Sequence, residues 1–160
     1  MERYFFFYRG IFSQWHYSPF IENGIEFRCA EQYMMYKKAQ LFNDTKIMNM
    51  ILGAEHPSEH KHLGRQILSF NQDIWDSNKI SIVYRGNYLK FSQNKDLYYE
   101  LMKTKGMILA EASQYDCIWG IGIKENDPRR FNYSEWRGEN LLGNILTYLR
   151  EFFIMFPIYK

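Results

Sequence analysis

The chain has 160 residues, which suits one domain built on one core. A hydrophobic fraction of 46% and a charged fraction of 24% argue against a disordered chain, and a net charge of +2 is too small to imply nucleic-acid binding. Two cysteines without C-x-x-C spacing argue against a disulfide framework and a structural zinc site.

The four histidines form no H-E-x-x-H pattern, so neither a catalytic metal nor a cofactor is expected. In "MERYFFFYRG" the apolar run stops at Arg9, too short for a signal peptide or a membrane span. A cytoplasmic, reducing setting with no membrane partner is the expectation. Oligomeric state leaves no trace in the sequence. The aromatic fraction is high at 19%. The rings either fill an aromatic core or line a site that stacks on a flat ligand.

Taken in chain order, Tyr4 to Tyr8 reads as a short buried strand. Asn23-Gly24 between apolar arms predicts a hairpin over Phe20 to Phe27. Phe27 to Phe42 reads as a helix, with Glu31, Met34, Met35 and Lys38 on one face. Asn43 or Asp44 caps a helix that ends at Gly53. Pro57 opens another, with Leu63, Ile67 and Leu68 as its apolar side. Asp73 to Phe91 is a long helix that tolerates an internal Gly86, and Asn94 opens the next. Met107 to Ser113 predicts a central strand, followed by a turn with Gly120 and Gly122. The polar stretch Lys124 to Arg137 is a loop or lid, and Gly138 to Phe153 is the last helix. The sum is an α+β class: a mainly helical single domain, residues 1–160, with a small β-sheet.

No P-loop, complete dinucleotide fingerprint or G-x-S-x-G elbow is present. Both cysteines lie in apolar contexts and read as buried thiols. Carboxylates, amides and aromatics remain. Glu31 is either a solvated partner of the helix dipole or a partly desolvated acid suited to proton transfer. Lys38, two turns on, is either a snorkelling surface lysine or a phosphate contact. Asp116 either caps its turn or orients a ribose hydroxyl or a water, and Trp119 either fills the core or stacks on a base. The glycine at Gly120 lets backbone approach a ligand. Asn140 lies in the first turn of the last helix, where N–H groups attract anions or are satisfied by the Asn itself. Arg65 could reach a phosphate or serve as ordinary surface charge.

These pieces, in this order, resemble the NADAR family (NAD- and ADP-ribose-associated), which includes the YbiA-like N-glycosidases. The stretches that carry the resemblance are "FFFYRGIFSQW", "FIENGIEFRCAEQYMMYKKAQLF", "HLGR", Trp75, "KFSQN", "EASQYDCIWGIG" and "WRGENLLGNILTYLRE". The family tends to carry F-S-N-F where this chain has Phe12-Ser13-Gln14-Trp15, and a methionine near Tyr84-Arg85. The resemblance implies hydrolysis of a ribosyl N-glycosidic bond. The substrates it implies are ADP-ribosylated guanine in DNA or RNA, or ribosylamino-pyrimidine intermediates of riboflavin synthesis. It maps the family's essential glutamate onto Glu31, and family-pattern positions onto Lys38, Trp75, Asp116, Trp119 and Asn140.

Glu31 and Asp116 are expected to be the catalytic acids. Lys38, Arg65, Trp75, Trp119, Gly120 and Asn140 are expected to hold an ADP-ribose-type ligand. The alternative is a binding module that senses ADP-ribose or an NAD derivative without catalysis.

Overall fold

The computed structural model describes residues 3–160. In chain order the elements are β1 (Tyr4–Phe7), β2 (Phe20–Glu22), β3 (Ile25–Phe27), α1 (Ala30–Leu41), α2 (Thr45–Gly53), α3 (Pro57–Gly64), α4 (Gln72–Gln93), α5 (Lys95–Lys103), β4 (Ile108–Glu111) and α6 (Leu141–Met155). Two short 3-10 turns, Pro128–Phe131 and Tyr133–Glu135, interrupt the polar stretch before α6. The class is α+β and mainly helical, as the sequence predicts. The chain divides into two compact units, residues 14–94 and residues 3–13 with 95–160.

In the unit of residues 14–94, the Asn23-Gly24 turn has φ 50° and 78°, the positive values a tight hairpin needs. It sets β2 antiparallel to β3 with Phe20 opposite Phe27. The Tyr33 ring packs on both, at 5.7 and 5.1 Å. Helix α1 packs against α2, α3 and α4. It is buried continuously from Ala30 to Tyr36, rather than along the single stripe that periodicity suggests, because three helices surround it. Gly86 explains itself here: a Cβ on it would stand 2.6 Å from a Tyr33 ring carbon, so glycine lets α4 close onto α1. Asp44 caps α2 through Ile47 N–H and also accepts from Leu68 N–H at 2.9 Å. One expectation fails in this unit. Helix α3 stops at Gly64, so only Leu63 and Ile67 of its expected apolar side are buried, and Leu68 is 74% exposed.

In the unit of residues 3–13 with 95–160, β1 pairs parallel with β4, with Phe5 beside Leu109. The expected central strand, β4, is not central: its sheet has two strands. Its other edge is closed by side chains of α6. Thr147 Oγ1 accepts Leu109 N–H at 2.9 Å, and Asn140 Oδ1 accepts Glu111 N–H at 3.0 Å. Asn140 Nδ2 donates to Leu109 O at 3.0 Å. A helix thus supplies the partners that a third strand would otherwise give. Gly143 makes this possible, because a Cβ there would overlap the Leu109 carbonyl. The stripe of Leu142, Ile145, Leu146 and Leu149 is buried as predicted. No helix among the described residues is long and apolar enough to cross a membrane.

Candidate functional site

In the unit of residues 14–94, α1 begins without a side-chain cap from Cys29. Two other bonds fix its start, one from outside the helix and one reaching back from it. Gln14 O accepts the Glu31 N–H at 2.9 Å, and Gln32 Oε1 accepts the Arg28 N–H at 2.7 Å. The Gln14 side chain is held in turn by Asn87, whose Nδ2 donates to Gln14 Oε1 at 2.9 Å and to Val83 O at 2.9 Å. Glu31 is only 5% exposed, so it is not the water-facing dipole partner that a first-turn glutamate usually is.

Two turns along the same face, Lys38 is half-buried. Its ammonium donates to Gly64 O at 3.1 Å and lies over the rings of Phe70 and Trp75, at 4.6 and 5.4 Å. Burial pulls the Lys38 pKa below its ordinary value and Arg65 adds to this, while the Glu31 charge opposes it. Glu31, Lys38, Arg65 and Trp75 therefore form one electrostatic neighbourhood. Trp75 is buried at the start of α4, and Arg65 is the exposed C-cap of α3. The approach of α3 to α1 depends on Gly64, since a Cβ there would overlap the Met35 sulfur. That gives the "HLGR" stretch a physical meaning: its glycine brings a carbonyl to Lys38 and its arginine a second charge.

Sequence reasoning misses three members of this neighbourhood. Phe70, on the loop before α4, completes the ring pair around Lys38 and meets Phe42 edge to face, with centroids 5.2 Å apart. Gln14 and Asn87 fix the backbone at Glu31. Gln14, one of the two departures from the family's F-S-N-F, is the signal that was available in the sequence. Lys90 is also missed. It is fully buried near Cys29, and burial lowers its pKa to about 7, with Cys29 acting in the opposite sense. The Cys29 thiol is buried, with Sγ 3.9 Å from His60 Nδ1. The other cysteine departs from expectation, since Cys117 is exposed.

The remaining expected residues lie in the other unit. Asp116 Oδ1 accepts the N–H groups of Ile118 and Trp119 at 2.9 and 2.7 Å, a turn cap of the kind short acidic side chains make. Trp119 is partly exposed. Gly120 is buried, and a Cβ on it would stand 2.8 Å from Glu111 O. The N–H groups of Glu139, Asn140, Leu141 and Leu142 donate to the carbonyls of Cys117, Gly120, Ile118 and Trp119. The start of α6 is therefore filled by backbone carbonyls of the turn, not left open as the expected anion site. Asn140 itself sits at φ 54° with its amide spent on β4 and Asn144. Its amide clamps β4 to α6.

The fold is shared with a solved protein, and the sequence is similar to curated ones. An NMR structure of the E. coli protein YbiA superposes with a TM-score of 0.78 at 26% identity, over 97% of this chain and 88% of that one. The NADAR domain model matches residues 5–153, and the chain belongs to that family. N-glycosidase R617 of Acanthamoeba polyphaga mimivirus is 44% identical over 88% of this chain and 86% of its own length. Protein irg-1 of Caenorhabditis elegans is 41% identical over 81% of this chain and 62% of its own length. The chloroplastic riboflavin biosynthesis protein PYRR of Zea mays is 33% identical over 65% of this chain, which spans only 16% of that protein.

Proposed function

We propose that the chain is a hydrolase of N-glycosyl bonds, with Glu31 as the catalytic carboxylate. The observation that carries this reading is the burial of Glu31 at the head of α1, on the face it shares with the caged Lys38. The similarity to a protein named N-glycosidase supports the reaction class. A carboxylate costs free energy to bury, so its retention there calls for a charge it must meet. Cleavage of a ribosyl–nitrogen bond builds such a charge at the anomeric carbon.

In this mechanism the Glu31 carboxylate stabilises the oxocarbenium-like state and positions water. The water oxygen bonds to the anomeric carbon as the carbon–nitrogen bond breaks. One water proton passes to Glu31 and from there, directly or through solvent, to the departing nitrogen, so one water is consumed and Glu31 ends ionised. Lys38 and Arg65 hold phosphate or the ribose edge, and Trp75 backs Lys38. In this reading Asp116 holds a ribose hydroxyl or water, Trp119 stacks on the base and Gly120 gives the backbone room. Asn140 acts as a positioning residue through the β4–α6 junction. Residues 5–153 are read as one functional domain because the family model runs through them unbroken.

The substrates proposed are ADP-ribosylated guanine in nucleic acid and ribosylamino-pyrimidines. The test is incubation with ADP-ribosylated guanosine DNA, ADP-ribose, NAD and a ribosylamino-pyrimidine, following released base or sugar. Release by the wild type, lost in Glu31→Gln with folding and ligand binding retained, supports the mechanism. Full turnover in Glu31→Gln overturns it. Saturable binding without release from any of the four would instead favour a sensing module.

A further inference from the structure

The turn between α3 and α4 lies wholly within the unit of residues 14–94, and it is anchored at every step. Gln66 N–H donates to Leu63 O at 2.9 Å and closes the end of α3. Leu68 N–H donates to Asp44 Oδ2 at 2.9 Å, so the carboxylate that caps α2 also holds the turn. Asn71 ends it as the N-cap of α4, its Oδ1 accepting Ile74 N–H at 3.0 Å. Between these anchors Ser69 sits at φ 56°. A side chain enters that region at a cost, and it stays there where the surroundings fix it.

What the turn places is Phe70. The ring is 41% exposed, so core packing does not account for it. Its edge-to-face contact with Phe42 joins it to the C-cap of α1. The Lys38 ammonium lies over it, 4.6 Å from the centroid. A lysine has many rotamers to lose, and three groups from outside α1 settle this one: the Gly64 carbonyl at 3.1 Å, the Phe70 ring and the Trp75 ring at 5.4 Å. Gly64 and Trp75 are buried members of helices, whereas Phe70 reaches in from the turn. None of the three carries a formal charge. They fix the ammonium without neutralising it, which leaves its charge to an anion. Fixing a cation before the ligand arrives lowers the entropy lost on binding.

We propose that the turn positions Lys38 through Phe70, and that this ring sets how strongly the site favours a phosphorylated ligand over an unphosphorylated one. Phe70 is thus a positioning residue. The consequence for binding rests on the proposed function, in which Lys38 meets an anionic part of the substrate. The positioning itself does not.

The two parts are tested separately on the full chain. Protons over an aromatic face are shifted upfield by its ring current. Carbon–proton NMR should therefore place the ε-methylene of Lys38, assigned by its loss in Lys38→Gln, upfield of the other lysines. Phe70→Leu should return it towards them, and Phe70→Tyr should keep it shifted. An ordinary Lys38 signal in the wild type, or one unmoved by Phe70→Leu, would overturn the positioning role. Calorimetry with ADP-ribose and adenosine tests the consequence. Phe70→Leu should weaken ADP-ribose about fivefold and leave adenosine within about twofold, and Phe70→Tyr should restore most of the loss. In a Lys38→Gln background, Phe70→Leu should cost little more, because the ring acts through the lysine. Equal losses for both ligands, or losses that add in the double variant, would reduce Phe70 to a structural part and overturn the specificity role. If the wild type binds no ADP-ribose, the specificity role falls with the proposed function, and the NMR signal alone decides the positioning.

Discussion

The carbonyl of Gln14 accepts the backbone N–H of Glu31 at 2.9 Å, and its side-chain amide is held by Asn87. The backbone at the proposed catalytic carboxylate is thus anchored by a residue seventeen positions upstream, and that residue by the long helix α4. Asn87→Ala would remove both amide bonds and leave the buried Gln14 side chain unsatisfied. The expected loss of stability is about 1–3 kcal/mol. If the anchoring matters for chemistry, kcat falls more than KM changes. An unchanged kcat in a folded Asn87→Ala protein would show that Glu31 needs no such support.

Gly64 and Met35 make a second prediction. Gly64→Ala places a methyl group onto the Met35 sulfur and pushes the Gly64 carbonyl away from Lys38. Overpacking of this kind costs roughly 1–3 kcal/mol. The double variant Gly64→Ala with Met35→Ala relieves the overlap and is expected to lose less than the two single losses added together. Additive losses, measured by denaturant unfolding, would mean the two residues do not share the space described here.

Glu22 gives a pH dependence. Its carboxylate accepts from Tyr33 Oη and Arg85 Nε, both at 2.9 Å, and pairs with Lys37 at 3.1 Å. Burial pushes its pKa up, but the bonds from Arg85, Lys37 and Tyr33 together hold it below the ordinary value of 4.5. A depressed carboxylate stabilises the fold above its unfolded pKa, and that contribution disappears as pH falls through the folded one. The difference in Tm between wild type and Glu22→Gln should therefore be full at pH 7 and shrink below pH 4.5. A difference that stays constant down to pH 3 would refute this assignment.

Lys90 gives a slope of the same sign in a higher pH window, but from a charge that burial disfavours rather than one that partners stabilise. Burial lowers its pKa from 10.5 to about 7, with Cys29 opposing. Between those two values the unfolded chain binds the proton that the folded chain lacks. Wild-type stability should then rise with pH from about 7 towards 10.5, and Lys90→Met should remove that rise. Unfolding free energies at pH 6.5, 8 and 9.5 decide it. An equal rise in both proteins would place the effect elsewhere.

Much of this was legible without coordinates. Asn23-Gly24 announced the hairpin because only a few residue types accept two successive positive φ values. The Asp44 cap, the Pro57 start and the α6 stripe followed from local hydrogen-bonding and periodicity. Glu31, Lys38, Arg65 and Trp75 were nominated from the sequence, and the structure gathers those four. Leu68 and the central position of β4 were misread, since helix ends and sheet neighbours depend on what packs alongside.

The amino-acid order by itself determined the local elements, their caps and the place of a carboxylate in the first turn of α1. Such features depend on spacing along a few turns of chain. Tertiary structure alone decided that Glu31 is buried, that Phe70 and Trp75 enclose Lys38, and that the Asn140 side chain bonds the edge of β4. Burial, ring stacking and the completion of a strand edge each require groups from distant parts of the chain. Glycines made those approaches possible, Gly64 at Met35, Gly86 at Tyr33 and Gly143 at Leu109, and a missing side chain shows its use only when its neighbour is in view.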